Sequence, residues 1–289
     1  MTYLITGATG NVGALVVKRL IARGERPRVF VRDPQKALAR YQDHVEIFVG
    51  DLENPKTLQP ALEGTDALLL VTAGSTLAAQ DKTAAKAAMD AGVARLVKLS
   101  SYDAREQNCG TGMWHAQGES AIRASGIPCA FVQPSGFMSN ALFWARSIRS
   151  IGVFSTSTGN GKVPFVHPDD IADVVMEALQ SETYLGQSLP ITGPEALSYA
   201  KMAAKIGNVI GKPIRFQSIS EEEARNQQLS WGVPPLLIEA HLSIFRAIRE
   251  GRLTTVTDTV ELVLGRRPLT FDQWAKENAA AFLGNGRSE

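Results

Sequence analysis

Short apolar runs alternate with segments of helical period through the first 135 residues. The runs Tyr3–Thr6, Arg28–Val31, Glu46–Val49, Ala67–Val71, Arg95–Leu99 and 129–132 are rich in β-branched residues and nearly unbroken. That pattern predicts strands buried on both faces. Between the first two, Leu15, Val16, Leu20 and Ile21 recur on one face of a helix. Asn54-Pro55 predicts a further helix with proline at its first position, ending near Gly64. Residues 77–91 form an alanine-rich helix that stops at Gly92, and 119–124 continue another that stops at Ser125-Gly126. Each crossover must cover a sheet face, so this βαβ alternation calls for a doubly wound parallel sheet.

The alternation stops at Pro134. An irregular stretch follows to Lys162, with Phe137, Phe143, Trp144 and Phe154 among glycine and serine. A helix over 168–179 then opens on Asp169 and Asp170, carboxylates that suit the positive end of its dipole. A strand at 188–192 and a helix at Tyr199–Ile210 come next. The last third is mostly helical, with Leu237, Ala240, Ile244 and Phe245 marking Pro235–Arg249. Thr270 and Gln273 form a capping box for a final helix ending near Phe282. The expected organisation is an α/β domain of residues 1–134, to which 164–212 return. Residues 135–163 and 213–289 form a smaller, mostly helical, substrate-binding lobe.

Composition narrows the function classes. Of 289 residues 44% are hydrophobic and 20% charged, as in an ordinary globular protein. A net charge of +1 offers no basic field for nucleic acid or an anionic membrane. Cys109 and Cys129 suggest neither a disulfide framework nor a zinc cluster, and a reducing compartment fits. The first strand starts almost at Met1 with no signal-peptide pattern, and the apolar run 67–73 is far short of the roughly 20 residues of a membrane span. A cytoplasmic location and no membrane contact are expected. Oligomeric state is not legible.

The sharpest chemical signal is Thr6-Gly7-Ala8-Thr9-Gly10-Asn11-Val12-Gly13. It follows a strand and opens an amphipathic helix, the context that separates a dinucleotide loop from a chance glycine triplet. Gly7 permits the tight turn, Gly10 lets a pyrophosphate approach the backbone amides, and Gly13 allows close helix packing. The diphosphate would rest on the helix N-terminus, with Thr9, Asn11 and Val12 around it. The fold is therefore expected to be Rossmann-type. At the second strand's end, where a carboxylate would accept from the ribose of NAD, stands Arg32. Its planar guanidinium suits the 2′-phosphate of NADP, so NADP(H) is the expected cofactor, with NAD(H) as the alternative. Asp33 caps the next helix. Asp51 and Leu52 lie on the adenine side after the third strand, although Asp51 could equally cap a turn. Thr72, Ala73 and Gly74 follow the fourth strand and face the same cleft, on the ribose and nicotinamide side.

These residues, with Lys98-Leu99-Ser100-Ser101, Pro134-Ser135-Gly136-Phe137-Met138-Ser139-Asn140 and Val166-His167-Pro168-Asp169-Asp170-Ile171-Ala172, resemble the NmrA-like atypical short-chain dehydrogenases/reductases. The resemblance spans nearly the whole chain. It is strongest to the quinone-reductase, triphenylmethane-reductase and azoreductase-like members. It implies NADP(H) binding, cofactor contacts at Ser100, His115, Gly136 and Phe137, and a C-terminal lobe covering nicotinamide and substrate. It also implies a departure. Where typical short-chain dehydrogenases carry Tyr-x-x-x-Lys, this chain has Thr111 and His115, and the serine position falls near Tyr102. His115 and Tyr102 are the candidate catalytic groups. Hydride transfer to an isolated carbonyl needs a positioned acid, whereas a conjugated acceptor spreads its charge. The expected activity is reduction of a quinone, dye or similar conjugated small molecule, with Phe137, Phe143, Trp144 and Trp231 either lining its pocket or filling the lobe core. A non-catalytic NADP(H) sensor and a biosynthetic tailoring oxidoreductase are the alternatives. His44, His167 and His241 show no metal-ligand spacing.

Overall fold

Residues 1–106 and 109–283 are described by the structure, a computed structural model. In chain order the strands are β1 (Tyr3–Thr6), β2 (Arg28–Val31), β3 (Glu46–Val49), β4 (Ala67–Val71), β5 (Arg95–Leu99) and β6 (Cys129–Pro134). They continue as β7 (Val153–Thr156), β8 (Lys162–Val163), β9 (Ser188–Ile191), β10 (Leu197–Ser198) and β11 (Arg215–Ser218). Seven of them form one sheet in the order β3-β2-β1-β4-β5-β6-β9. The pairs β1/β2, β2/β3, β1/β4, β4/β5 and β5/β6 are all parallel. Strand order reverses between β1 and β4, the switch point where such sheets bind ligands at their carboxyl edge.

The helices of the first half are α1 (Asn11–Ala22), α2 (Pro34–Tyr41), α3 (Gln59–Leu62), α4 (Leu77–Asp90) and α5 (Gly112–Ala124). Those of the second are α6 (Ala145–Ile151), α7 (Pro168–Gln180), α8 (Tyr199–Ile210), α9 (Glu221–Ser230), α10 (Pro235–Arg249), α11 (Thr259–Leu264), α12 (Phe271–Glu277) and α13 (Ala279–Leu283). Among the described residues none is long and apolar enough to cross a membrane. The helix expected over 54–64 is instead a 3-10 turn at Pro55–Thr57 followed by the single turn α3. Pro60 contributes to the break, because it lacks the N–H that would continue the helical ladder back to Lys56.

The chain divides into two compact units. The first comprises Met1–Pro134 and Pro168–Pro190. Alternation along β5 shows how helices cover both faces of its sheet. Arg95 reaches the Leu179 carbonyl at the end of α7, whereas Lys98 reaches Asp81 on α4. Residues three apart on a strand point to opposite faces, so α7 and α4 lie on opposite sides. On the α7 side, Arg19 of α1 pairs with Asp169 and Asp173 at 2.7 and 2.6 Å. On the α4 side, Ala84, Ala85 and Ala88 bring the helix close to Leu4, Leu68, Leu70, Leu96 and Phe131. Each large apolar side chain fully buried there contributes about 1.5–3 kcal/mol.

The second unit comprises Ser135–His167 and Ile191–Glu289. Residues 164–167 and 191–212 thus belong to it, and only 168–190 return to the first. The cause is local pairing. β10 joins β8 antiparallel, β11 joins β7 in parallel, and α8 packs on β11, α12 and α13. Trp144 stacks on Phe154 with centroids 4.1 Å apart, and Tyr199, Phe216 and Phe165 complete the aromatic cluster. Trp144 is therefore part of this unit's packing, while Phe143 and Trp231 are exposed. Ala224, Ile238 and Leu242 join α9 to α10. Glu221, bridged to Arg246 and Arg249 at 2.6 Å, is held down at about 2 chiefly by those hydrogen bonds. The Thr270/Gln273 capping box forms, but the last helix breaks at Asn278, whose side chain donates to the Trp274 carbonyl.

Candidate functional site

All the predicted first-unit residues lie at the carboxyl edge of the parallel sheet. The loop from β1 to α1 turns at Gly7, whose φ of +60° favours glycine, and the Gly10 amide donates to the Gly7 carbonyl at 2.9 Å. A Cβ on Gly13 would sit 2.3 Å from that same carbonyl oxygen, so the helix start is pressed on the turn rather than on the sheet. Gly10 caps α1 without a side chain, leaving the first amides beside exposed Thr9, Gly10 and Asn11, with Val12 buried beneath. Two carbonyls of the loop are held from α2. The Tyr41 hydroxyl donates to Ala8 O at 2.5 Å, and Arg40 Nη1 donates to Thr9 O at 3.2 Å. Sequence reasoning did not find this clamp.

Arg32, just past β2, is exposed, and its guanidinium has no hydrogen-bond or ion-pair partner among the described residues. Asp33 does cap α2, accepting from the Gln35 and Lys36 amides. After β3, Asp51 is half-buried and accepts from the Glu53 amide at 3.0 Å, so it makes a local turn with its own side chain. Leu52 packs against the core below. Ala73 and Gly74 are exposed, and Gly74 has φ +86°. Gly136 and Phe137 open the second unit, where Gly136 leaves room for the Phe165 ring and Phe137 bridges to Val166.

Two buried polar clusters anchor the strand ends. Lys98 Nζ donates to Thr72 Oγ1 at 2.5 Å and to Asp81 Oδ1 at 2.9 Å, and Thr72 donates to Asp81 at 2.8 Å. The Thr72 hydroxyl is thus engaged inside this cluster, accepting from Lys98 and donating to Asp81. Ser100 donates to Glu119 Oε1 at 2.5 Å, and Gln133 donates to the same oxygen at 2.8 Å. The signal for Lys98 was present in the sequence, a lysine in phase with Leu96 on an otherwise apolar strand.

His115 lies half-buried on α5, with Nδ1 buried and without a hydrogen-bond partner. Desolvation, and secondarily the Lys98 charge, push its pKa down to about 3. It is a neutral imidazole across the physiological range, able to donate or accept one hydrogen bond but not to serve as a ready imidazolium acid. Because the folded value lies below the ordinary 6.5, the associated stability is fully present above pH 6.5 and is lost as pH falls toward 3. Between pH 6.5 and 4.5 the native protein should therefore lose about 2 kcal/mol more than a His115→Gln variant in urea unfolding. Equal losses would show that the imidazole is not desolvated. Tyr102 begins the 3-10 segment Tyr102–Glu106, with the Arg105 guanidinium 5.8 Å from its ring centroid. Of the remaining histidines, His167 pairs with Glu277 at 3.1 Å within the second unit, His241 meets Gln228 at 2.7 Å, and His44 is exposed.

Comparison with known proteins sets this geometry in context. The chain is 36% identical over 282 residues to an NAD(P)H azoreductase of Xenophilus azovorans, covering 96% of this chain and 98% of that one. It is 37% identical over 281 residues to the (4-alkanoyl-5-oxo-2,5-dihydrofuran-3-yl)methyl phosphate reductase of Streptomyces griseus, covering 96% and 98%. Among solved structures, the triphenylmethane reductase of Citrobacter sp. complexed with NADP(H) superposes with a TM-score of 0.85 at 26% identity, covering 96% of this chain and 100% of that one. The NmrA-like family model matches residues 1–262. With that match over most of its length and relatives this similar, the chain belongs to the NmrA-like family.

Proposed function

We propose that this protein is an NADPH-dependent oxidoreductase that reduces a conjugated small-molecule acceptor, such as a quinone or a dye, without a Tyr-x-x-x-Lys pair. Its own residues fit the cofactor. The turn at Gly7–Gly10 leaves no side chain between a diphosphate and the first amides of α1, and Arg32 holds an unpaired guanidinium one strand away for a 2′-phosphate. When bound, NADPH supplies a hydride from its nicotinamide. The chain's part is to hold that ring and the acceptor in register, which is where most of the rate of such a transfer can come from. His115, held neutral by burial, suits a hydrogen bond to the nicotinamide ribose.

The observation that carries the reading of the acceptor is helix α5. It offers a desolvated neutral imidazole and neither tyrosine nor lysine. Without a positioned acid, reduction of an isolated ketone forgoes roughly 100-fold or more of general acid catalysis, whereas a delocalised acceptor needs little. The relatives' names support this, with an azo group in one and an oxo-dihydrofuran in the other. A panel of a benzoquinone, an azo dye, a cationic triphenylmethane dye and a simple ketone tests it through NADPH absorbance. Oxidation is expected with at least one conjugated acceptor at about 100 times the ketone rate or better. Tight NADPH binding with no oxidation by any acceptor would overturn catalysis and favour a sensing role.

A further inference from the structure

The ion pair Lys98–Asp81 is completely buried, both side chains having 0% exposure at an Nζ–Oδ1 distance of 2.9 Å. Such a pair is weak evidence for stability, since desolvation of two charges offsets much of their attraction and an apolar replacement often folds as well. Its position is more telling. Lys98 is one residue from the carboxyl end of β5, and Thr72, the third member, is the first residue after β4. Asp81 Oδ2 is also buried, has no hydrogen-bond partner, and lies so close to Gly118 that a Cβ there would meet it at 2.2 Å. Gly118 is one helical turn beyond His115 on α5. The pair therefore touches both the turn Thr72-Ala73-Gly74 and the backbone of the helix that carries His115.

We propose that Lys98 and Asp81 are positioning residues for the nicotinamide half of the cleft, keying the Thr72 turn to the α5 backbone that carries His115. The inference rests on the NADPH-reductase reading of the cleft. The titratable groups on the elements packed against α5 that are buried or half-buried are Asp81 on α4, Asp103 and Tyr102 on the 3-10 segment and Cys129 on β6, with Glu119 on α5 itself and Lys98 reaching this side through Asp81. Of these, the Lys98 charge is the one that bears on His115.

Lys98→Met alone would strand an unpaired buried carboxylate, so the informative variant is Lys98→Met/Asp81→Leu, which removes both charges. Three quantities are measured: circular dichroism for the fold, NADPH affinity by fluorescence titration, and single-turnover NADPH oxidation with a benzoquinone. The double variant is expected to bind NADPH within about threefold of the native protein while hydride transfer slows about 10- to 100-fold. Its His115 imidazole, followed by proton NMR, should titrate at higher pH than in the native protein, a change a purely structural pair would not produce. Should the double variant fail to fold, Thr72→Val keeps the pair and removes only the keyed hydroxyl, and about a 10-fold slower transfer is expected. A native transfer rate with an unshifted His115 titration, or a native rate in Thr72→Val, overturns this inference alone. A native protein that takes up no NADPH, or oxidises none with any acceptor, overturns the functional reading and this inference with it.

Discussion

Gly13→Val is expected to weaken NADPH binding by about 100-fold or more while leaving the sheet folded. Any Cβ at residue 13 would stand 2.3 Å from the Gly7 carbonyl oxygen and 2.8 Å from its carbon, both backbone atoms that cannot swing aside. The turn must then move by about 1 Å, and a displacement of that size in a set of aligned donors costs on the order of 100-fold. The Gly10 amide, now bonded to Gly7 O at 2.9 Å, is carried with it, as are the first amides of α1. The clamp from α2 adds to the cost, because Tyr41 and Arg40 hold the Ala8 and Thr9 carbonyls on the other side of the turn. Fluorescence titration with NADPH and circular dichroism of the same sample check this. Affinity within threefold of native, with α1 intact, would show that the diphosphate does not sit on this loop. Gly13→Ala should show the same defect in milder form.

What the sequence discloses about this fold is what local chemistry decides. The central strands are legible because a parallel strand covered on both faces is mostly apolar, as Leu68, Leu69 and Leu70 are; β3, expected to be buried in the same way, lies at the sheet edge with no buried residue. The start of α2 is legible because Asp33 followed by Pro34 is a cap whose geometry is set within four residues. The glycine loop is legible for the same reason. Where the outcome depends on distant partners, legibility ends. Residues 191–212 look like one more strand and helix of the sheet, but pairing of Leu197 with Val163 and packing of α8 draw them into the second unit.

The site follows the same division. Arg32 and the loop can be named from their places after β2 and β1. Lys98 and Asp81 lie 17 residues apart on a strand and a helix, and although Lys98 stands in the segment Lys98-Leu99-Ser100-Ser101, no motif joins it to Asp81. Only the period of β5, which puts Lys98 on the same side as Leu96, hints that the lysine is inside. For His115 the sequence supplies the address and an ordinary pKa. Burial of its Nδ1 and the nearby ammonium then change the chemistry from a titrating group to a neutral one. That difference separates an acid catalyst from a hydrogen-bonding contact, and no spacing rule could supply it.

Arg32→Ala is expected to lower the NADPH/NADH affinity ratio by about 100-fold, acting almost wholly on NADPH. The guanidinium is exposed and unpartnered among the described residues, so no ion pair has to break before it meets a phosphate. Two charge-assisted hydrogen bonds at about 1.5 kcal/mol each give roughly 3 kcal/mol, which is that factor. Asp33 does not compete for the charge, since its carboxylate accepts from the Gln35 and Lys36 amides and pairs with Lys36 at 3.4 Å. NADH binding should stay within about twofold in the alanine variant, because the contact concerns only the group that NADH lacks. Arg32→Asp should go further and favour NADH, by repelling the 2′-phosphate and accepting from the ribose hydroxyls. Raising salt should weaken the native preference for NADPH and leave the alanine variant's ratio unchanged, as expected for a solvent-exposed charge. Calorimetric titration of both cofactors at two ionic strengths measures all of these terms. A ratio that survives Arg32→Ala would assign the 2′-phosphate to other cations of the same edge, with Lys36 and Arg40 of α2 the next to be replaced.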